Sequence, residues 1–266
     1  MTYEHILYDE ADGVATLTIN RPAMLNALHT GVITEMLHAV DRVRDEGSAR
    51  VLLLTGAGRG FSSGADLGSG DTASAAMSGG PVDAGRLLET HFNPLLERLF
   101  ALPVPFVTAV NGPAAGAGCS LALAGDIVIA GRSAYFLQAF INIGLVPDVG
   151  STWMLPRLAG KARATAMMML GERVPAETAL DWGMIYKVVD DAELMPTAQA
   201  LAARLAKGPT GAYALIRHGI RACLDTTLTE ALSLERRNQR LAGRSPDFVE
   251  GVSAFLQKRP AVFTGK

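Results

Sequence analysis

The chain has 266 residues, with 24 basic and 26 acidic side chains and a formal net charge of −2. Because 49% of the residues are hydrophobic, the composition excludes a disordered chain, and the near-neutral charge argues against a nucleic-acid partner. No stretch reaches the ~18 to 20 consecutive apolar residues that span a membrane, and the N-terminus shows neither a basic leader nor an apolar segment. We therefore expect a cytoplasmic protein with no membrane partner.

The first predicted elements alternate between strands and helices. Residues 14–19 are β-branched at alternate positions, which predicts a half-buried strand. From Thr30 the apolar residues recur at steps of three and four, which predicts an amphipathic helix. Residues 51–55 form a continuous apolar run, typical of a strand covered on both faces. The Gly- and Ser-rich stretch from Gly56 to Gly85 predicts a surface loop.

The middle of the chain repeats the strand–turn–helix pattern, and the last part is helical. Residues 106–110 and 126–130 predict two further strands, on either side of a turn at 111–118 that is rich in Gly and Ala. This alternation indicates an α/β fold with parallel pairing. Helical patterns dominate later, with N-cap signatures at Thr227 and Ser245. We predict a core at 1–200 and a C-terminal helical region at 201–266.

Two predicted strands run into turns of small residues, at 64–66 and 116–118. Small residues allow the backbone to approach a ligand closely, and two N–H groups aimed at one carbonyl oxygen form an oxyanion hole. Residues 60–64 also match the Gly-x-Ser-x-Gly string of serine hydrolases. That interpretation is weaker, because five loop residues precede the string and poor helix formers follow it.

Asp148 is the one carboxylate in the apolar turn at 143–150. Burial there would raise its pKa and suit the group to proton transfer. The same residue could instead cap a helix that begins near Ser151, and the local pattern alone favours the cap. The histidines have no metal-ligand spacing, so we predict no metal site, and His91 is typical of a packed or surface histidine.

Four segments together resemble the crotonase (enoyl-CoA hydratase/isomerase) superfamily. They are LTINRP at 17–22, FSSGAD at 61–66, AVNGPAAGAG at 109–118 and GLVPDVGST at 144–152. The ordered set is far more specific than any one of its pieces, and the likeness covers essentially the whole chain. Residues 144–155 and the tail at 239–266 most resemble the family's isomerases of ring-epoxide phenylacetyl-CoA, which act in phenylacetate breakdown.

The resemblance implies a spiral core of stacked ββα units, with C-terminal helices that drive assembly into homotrimers or hexamers. It implies that the backbone N–H groups of Ala65 and Ala117 bind the thioester oxygen of an acyl-CoA substrate. No cofactor is implied beyond the CoA that the substrate carries. The implied substrate- and CoA-binding residues are Met24, Leu25, Ala27, Gly64, Asp66, Gly116, Tyr135, Phe140, Phe263 and Lys266, the last two reaching a neighbouring subunit. The loop at 68–85 is expected to cover the acyl group.

Departures from the family pattern narrow the expected chemistry. Hydratases of the superfamily use two glutamates, whose aligned positions hold Ser120 and Phe140 in this chain. Neither side chain can exchange the required proton at neutral pH. Isomerases of the superfamily carry a single acid where this chain has Asp148, so the resemblance makes Asp148 the expected acid/base of an isomerase.

Three other interpretations stay open. Aryl-CoA dehalogenases of the superfamily use an Asp nucleophile with a helix-borne histidine, roles that Asp148 and His91 could fill. A hydratase or lyase could use other acids or water alone. A protein that binds acyl-CoA without catalysis would retain the oxyanion turns, although the presence of Asp148 argues against it.

Overall fold

The computed structural model describes residues 2–68 and 83–266, and every structural statement below concerns these residues. Their strands are β1 (Ile6–Ala11), β2 (Val14–Ile19), β3 (Val51–Gly56), β4 (Phe106–Val110), β5 (Pro113–Ala115), β6 (Ile127–Gly131), β7 (Tyr135–Leu137), β8 (Arg173–Pro175) and β9 (Lys187–Val189). Their α-helices are α1 (Thr30–Asp45), α2 (Asn93–Ala101), α3 (Ala117–Leu123), α4 (Ser151–Ala159), α5 (Lys161–Leu170), α6 (Ala176–Asp181), α7 (Leu194–Ala206), α8 (Thr210–Cys223), α9 (Leu228–Ala242) and α10 (Pro246–Leu256). Short 3-10 helices occupy Pro22–Met24, Ala139–Ile143 and Asp191–Glu193, and a π-helix at Leu88–Phe92 precedes α2.

The strands form a six-stranded sheet in the order β1-β2-β3-β4-β6-β9 and a three-stranded sheet in the order β5-β7-β8. In the large sheet only the β1–β2 pair is antiparallel, and the remaining neighbours are parallel. The predicted α/β class and the predicted parallel pairing are therefore confirmed. The strand predicted at 126–130 begins one residue later, and the three-residue strands were too short for a periodic signal.

Both faces of the large sheet are covered. Leu52 and Leu54 of β3 belong to the core cluster that contains α1, whereas Val51 and Leu53 pack into a second cluster with α7. This burial on both faces was predicted, and it explains why the sequence of β3 is a continuous apolar run. At their carboxyl ends, β3 continues into the loop that carries the turn at 64–66, and β4 continues into the segment that carries the turn at 116–118.

The C-terminal helices begin as the sequence predicts. Thr227 and Glu230 form a reciprocal capping box at the start of α9, and the Ser245 side chain accepts from Phe248 N at the start of α10. The buried Arg217 side chain anchors α8 to the core, because its guanidinium lies 2.5 Å from a carboxylate oxygen of Asp126. Within the described residues, no helix is both long and apolar enough to cross a membrane.

Candidate active site

The loop after β3 is held between two other segments by backbone hydrogen bonds. On one side Leu28 N donates to Gly64 O at 2.8 Å and Asp66 N donates to Leu28 O at 2.9 Å. On the other side Ala115 N donates to Ser62 O at 2.9 Å. The first small-residue turn is thereby fixed beside the second, although 50 or so residues separate them along the chain.

Glycines permit this close approach. Gly64 has φ +93°, and a β-carbon there would lie 2.7 Å from Ala115 O and 3.4 Å from Ala117 N. Gly116 has φ +51° and precedes the first residue of α3. Both values lie in the region that glycine adopts without steric cost. The Gly64 α-carbon consequently packs against the Gly116–Ala117 peptide.

The N–H groups of Ala65 and Ala117 are both available for a ligand. Gly64 and Asp66 direct their backbone groups toward Leu28, so the intervening Ala65 N–H faces the opposite direction. Ala117 begins α3, where the first N–H groups have no intrahelical acceptor. Neither N–H donates a hydrogen bond within the part of the chain that the structure describes. Two such donors beside one glycine α-carbon can bind a single oxygen atom.

Asp148 lies in the turn that leads into α4. Val149 has φ +48° and Gly150 has φ +74°, so the chain turns sharply through a left-handed, β-branched residue. The Asp148 Oδ1 atom is buried and has no hydrogen-bond partner among the described residues. Burial raises the pKa of this carboxyl to about 6. A carboxyl of this kind can both accept and return a proton near neutral pH.

The helix-cap interpretation of Asp148 is wrong. The N-cap of α4 is Gly150, which has no side chain to accept a bond from the helix. Asp148 contributes only its backbone carbonyl, which accepts from Ser151 N at 3.0 Å. The carboxyl is therefore not engaged by the helix end.

Comparison with known proteins decides the family. The sequence model of the enoyl-CoA hydratase/isomerase family matches residues 9–266. The chain belongs to the enoyl-CoA hydratase/isomerase family. It is 50% identical over 263 residues to the 1,2-epoxyphenylacetyl-CoA isomerase of Escherichia coli K12, covering 99% of each chain. It is 45% identical, over the full length of both chains, to a "Probable enoyl-CoA hydratase" of Rhodobacter capsulatus.

The crotonase fold of this family is confirmed by solved structures. A crystal structure from Mycobacterium abscessus, described as an enoyl-CoA hydratase/isomerase, superimposes with a TM-score of 0.93. It is 38% identical, and the match covers 98% of this chain and 100% of that one. The protein is thus an enzyme of a family whose members include isomerases and hydratases of CoA thioesters.

The two positions that the resemblance aligns with hydratase glutamates lie close to the turn at 116–118. Ser120 is on α3, fully buried, with its Oγ 3.2 Å from Asp148 O and 3.3 Å from Gly116 O. The ring of Phe140 lies 3.7 Å from the place that a β-carbon on Gly116 would occupy. The structure therefore brings Asp148, Ser120, Phe140 and the second turn together, and only Asp148 among them is an acid.

The predicted CoA-binding residues near the first turn differ in their surroundings. Met24 is 54% exposed at the end of a 3-10 helix, while Ala27 is buried. Leu25 follows with φ +48°, and its carbonyl accepts from Ser63 N at 2.9 Å. These residues lie beside the loop that carries Ala65, and their contact with CoA stays a prediction.

Asp66 has a structural contact that the sequence did not reveal. Its carboxylate lies 2.9 Å from the Arg21 guanidinium, and both side chains are largely buried. Arg21 also donates to Ala27 O at 2.5 Å. The pair ties the first turn to the segment that carries Met24, so Asp66 supports the shape of the site through this ion pair.

Three predicted binding residues, Tyr135, Phe263 and Lys266, do not lie beside the two small-residue turns within one chain. Tyr135 pairs with Pro113 at the far end of β7 from Leu137, the residue whose carbonyl meets Gly116 N. The Tyr135 ring is covered by the Arg173 guanidinium at 4.6 Å. Its role as a pocket wall stays a prediction.

Phe263 and Lys266 belong to the C-terminal tail, which is anchored elsewhere. Phe263 O accepts from Arg50, which immediately precedes β3, whereas Gly64 follows the other end of that strand. The tail is therefore anchored at the amino end of β3, whereas the turn at 64–66 follows the carboxyl end of that strand. A role for Phe263 and Lys266 at the CoA of a neighbouring subunit stays a prediction.

The serine-hydrolase interpretation receives no support from the structure. Ser62, the serine of the hydrolase string, is fully buried, and its hydroxyl donates to Asn26 O at 2.8 Å, so it cannot act as an exposed nucleophile. His91 contacts the Thr90 hydroxyl at 2.7 Å, and the described residues show no hydrogen bond between it and Asp148. Residues 69–82 of the predicted acyl-covering loop lie outside the described residues.

Metal chemistry was not predicted, and the described residues show no group of three His, Cys, Asp or Glu side chains that could hold a metal ion. The residues that sequence reasoning missed are polar and buried: Gln138 and Ser151. Ser151 lies in the motif that carried the resemblance, but nothing local shows that its hydroxyl meets the hydroxyl of Ser120 at 2.5 Å.

Proposed function

We propose that the protein is an acyl-CoA isomerase that moves a double bond, or opens a ring epoxide, in a CoA thioester. One observation carries the proposal. The buried carboxyl of Asp148 has no hydrogen-bond partner on Oδ1 within the described chain, and the Asp148 backbone carbonyl lies 3.2 Å from Ser120 Oγ on α3, the helix that presents the Ala117 N–H. The positions of the two hydratase acids hold Ser120 and Phe140, so Asp148 is left as the acid/base.

The geometry supports a two-step proton transfer. The thioester carbonyl oxygen accepts hydrogen bonds from Ala65 N and Ala117 N, which stabilise the charge of an enolate. The Asp148 carboxylate removes a proton from the α-carbon of a 3-enoyl-CoA, and the electron pair of that C–H bond enters the dienolate. The resulting carboxylic acid returns the same proton to the γ-carbon. The product is the conjugated 2-enoyl-CoA, with no net change in protons.

The comparisons support the proposed substrate class. The Escherichia coli relative is a 1,2-epoxyphenylacetyl-CoA isomerase, and its match extends over 99% of both chains. We propose that this chain also accepts the CoA ester of a ring-epoxide phenylacetate, in phenylacetate degradation, in addition to 3-enoyl-CoA esters of fatty acid metabolism. Met24 and Leu25 would contact the CoA, and Phe140 would limit the acyl site. The CoA is part of the substrate, and no further cofactor is proposed.

We propose assembly into a homotrimer or hexamer in the cytoplasm. Apolar side chains are exposed along the C-terminal helices of the single chain: Ile216, Ile220, Leu232, Leu241, Phe248, Val249, Val252, Phe255 and Leu256. A monomer in water would rarely leave so many large apolar groups uncovered. Light scattering of the purified protein measures the mass directly, and a monomer at micromolar concentration would contradict this assembly.

Isomerase activity is tested with a 3-enoyl-CoA substrate. Purified protein should convert it to the conjugated 2-enoyl-CoA, observed as rising thioester absorbance. Asp148→Asn should abolish turnover, because the amide cannot accept the α-proton, while the affinity for CoA esters is retained. Full activity in Asp148→Asn would overturn the mechanism.

Assays of the same purified protein distinguish the alternative functions. Hydration of crotonyl-CoA should be slow, because Ser120 and Phe140 replace the acids that activate water. Rapid hydration would favour a hydratase. Binding of CoA esters without turnover of any thioester would favour a non-catalytic binder. Halide release from an aryl-CoA, dependent on Asp148 and His91, would favour the dehalogenase chemistry.

A further inference from the structure

We propose that Gln138, Ser151 and Ser120 form a directed hydrogen-bond chain that positions Asp148, with Ser120 as a positioning residue for the acid. This inference rests on the proposed function of Asp148 as the acid/base. We call these three residues the serine chain. None of them has a role in the proton transfer itself.

The serine chain is sealed from solvent. Gln138 and Ser120 are 0% exposed and Ser151 is 1% exposed. The Gln138 Nε2 atom donates to Ser151 Oγ at 3.1 Å, and the Oγ atoms of Ser151 and Ser120 are 2.5 Å apart. Ser120 Oγ then lies 3.2 Å from the carbonyl oxygen of Asp148. Buried polar groups of this kind are costly unless each finds a partner.

Counting protons gives the chain a direction. Each serine hydroxyl has one proton to donate and two lone pairs that accept. Gln138 supplies a donor to Ser151, so the Ser151 proton is free for Ser120 Oγ. The Ser120 proton is then free for the Asp148 carbonyl. This assignment uses both hydroxyl protons and ends at the backbone of the acid.

Asp148 depends on such an anchor. Its Oδ1 atom has no hydrogen-bond partner among the described residues, so no bond to that atom fixes the carboxyl in place. The backbone contributes to the position of the carboxyl, and the Asp148 carbonyl is held by Ser151 N and by the Ser120 hydroxyl. The next residue, Val149, has φ +48°, a conformation that a β-branched residue keeps only when its surroundings impose it.

Ser120 also joins the acid to the oxyanion turn. Its Oγ lies 3.3 Å from Gly116 O, and Gly116 directly precedes Ala117. The one hydroxyl proton is shared between the two carbonyl oxygens, so Ser120 lies between the Asp148 backbone and the backbone that precedes Ala117. Loss of that hydroxyl should let the Asp148 turn shift relative to the bound thioester, and a shift of about 1 Å can lower the rate about a hundredfold.

The test is Ser120→Ala, with turnover of a 3-enoyl-CoA measured across pH. We expect kcat to fall by about tenfold to a hundredfold while KM changes less than about twofold. The acid limb of the pH–rate profile should also move, because the burial of the carboxyl changes with its position. Ser151→Ala should behave alike, and the double variant should be no worse than either single variant, since both break one chain.

Thr108→Val is the matched control. Thr108 is also 0% exposed, and its hydroxyl donates to Ala122 O at 2.7 Å on the same helix, without contacting Asp148. It should lose thermal stability as Ser120→Ala does and keep kcat and the pH profile. An unchanged kcat or an unmoved acid limb in Ser120→Ala, or additive losses in the double variant, would overturn the proposal.

A failure of the proposed function is distinguishable from a failure of this inference. If the wild-type protein turns over no 3-enoyl-CoA, the isomerase proposal fails. The serine chain is then tested by titrating the Asp148 carboxyl in infrared difference spectra against Asp148→Asn. The titration should shift in Ser120→Ala and stay in place in Thr108→Val, and an identical titration in both would overturn the positioning role.

Discussion

The α-carbon of Gly64 packs directly against the amide of Ala117. A β-carbon at position 64 would lie 3.4 Å from the Ala117 nitrogen and 2.7 Å from the Ala115 oxygen. The two turns approach each other this closely because position 64 has no side chain and a φ of +93°. The close approach of the two turns therefore depends on glycine at position 64.

Gly64→Ala should abolish most of the isomerase activity. The added methyl group must push the Ala65 and Ala117 N–H groups apart, and loss of one oxyanion donor costs about a hundredfold to a thousandfold in kcat. The matched control is Gly47→Ala, which also has a positive φ of +68° but nothing within 4 Å of the added carbon. It should keep wild-type kcat with a modest loss of stability. Equal kcat in the two variants would contradict the oxyanion role.

Activity should depend on pH through Asp148. The proposed base must be ionised to remove the α-proton, and burial raises its pKa to about 6. We therefore expect kcat/KM to be constant near neutral pH and to fall tenfold per pH unit well below pH 6. Steady-state rates on a 3-enoyl-CoA across this range provide the measurement. A profile that stays flat down to about pH 4 would remove Asp148 from the rate-limiting proton transfer.

Asp148→Asn should be more stable than the wild-type protein at neutral pH. A pKa raised from 3.8 to about 6 means that the folded chain binds a proton that the unfolded chain releases in this window, so stability falls as pH rises through it. The shift corresponds to a cost of up to ~3 kcal/mol at neutral pH, which the uncharged amide avoids. Thermal unfolding should show the largest difference near pH 7 and little below about pH 3, where Asp148 is protonated in both states. A less stable Asn variant at neutral pH would contradict the desolvation of this carboxyl.

Asp247→Ala should release the C-terminal tail. The Asp247 carboxylate is 4% exposed and accepts from Thr264 N at 2.7 Å and Gly265 N at 2.8 Å. Its loss leaves part-buried donors unpaired and should lower the free energy of unfolding by about 1–3 kcal/mol, measured by urea titration. Lys266→Ala is the control for the tail itself, because this exposed residue should not affect stability.

The same two variants test the predicted role of the tail at a neighbouring subunit. If Lys266 contacts CoA there, Lys266→Ala should raise KM without changing the unfolding transition, and Asp247→Ala should raise it as well. An unchanged KM in both variants would remove the tail from substrate binding.

Much of the fold could be predicted from local sequence patterns. The strand at 14–19 and the buried strand at 106–110 were predicted with the bounds that the structure has, because alternation and apolar runs report burial directly. The helix starts at Thr227 and Ser245 followed from capping chemistry within four residues. The strands β5, β7, β8 and β9 escaped prediction because three residues carry no periodicity.

The sequence by itself determined which chemical groups were available: small-residue turns after two strands, one carboxylate in an apolar turn, and Ser and Phe at the positions of two acids. Local pattern favoured a cap for Asp148, and only the tertiary structure placed Gly150 at that cap and left the carboxyl buried with an unpartnered Oδ1. The same holds for Ser120 and Ser151, whose hydroxyls are 31 residues apart in the chain and 2.5 Å apart in space. Burial and direction of a side chain depend on contacts between distant segments, and those contacts set the pKa and partners on which the chemistry depends.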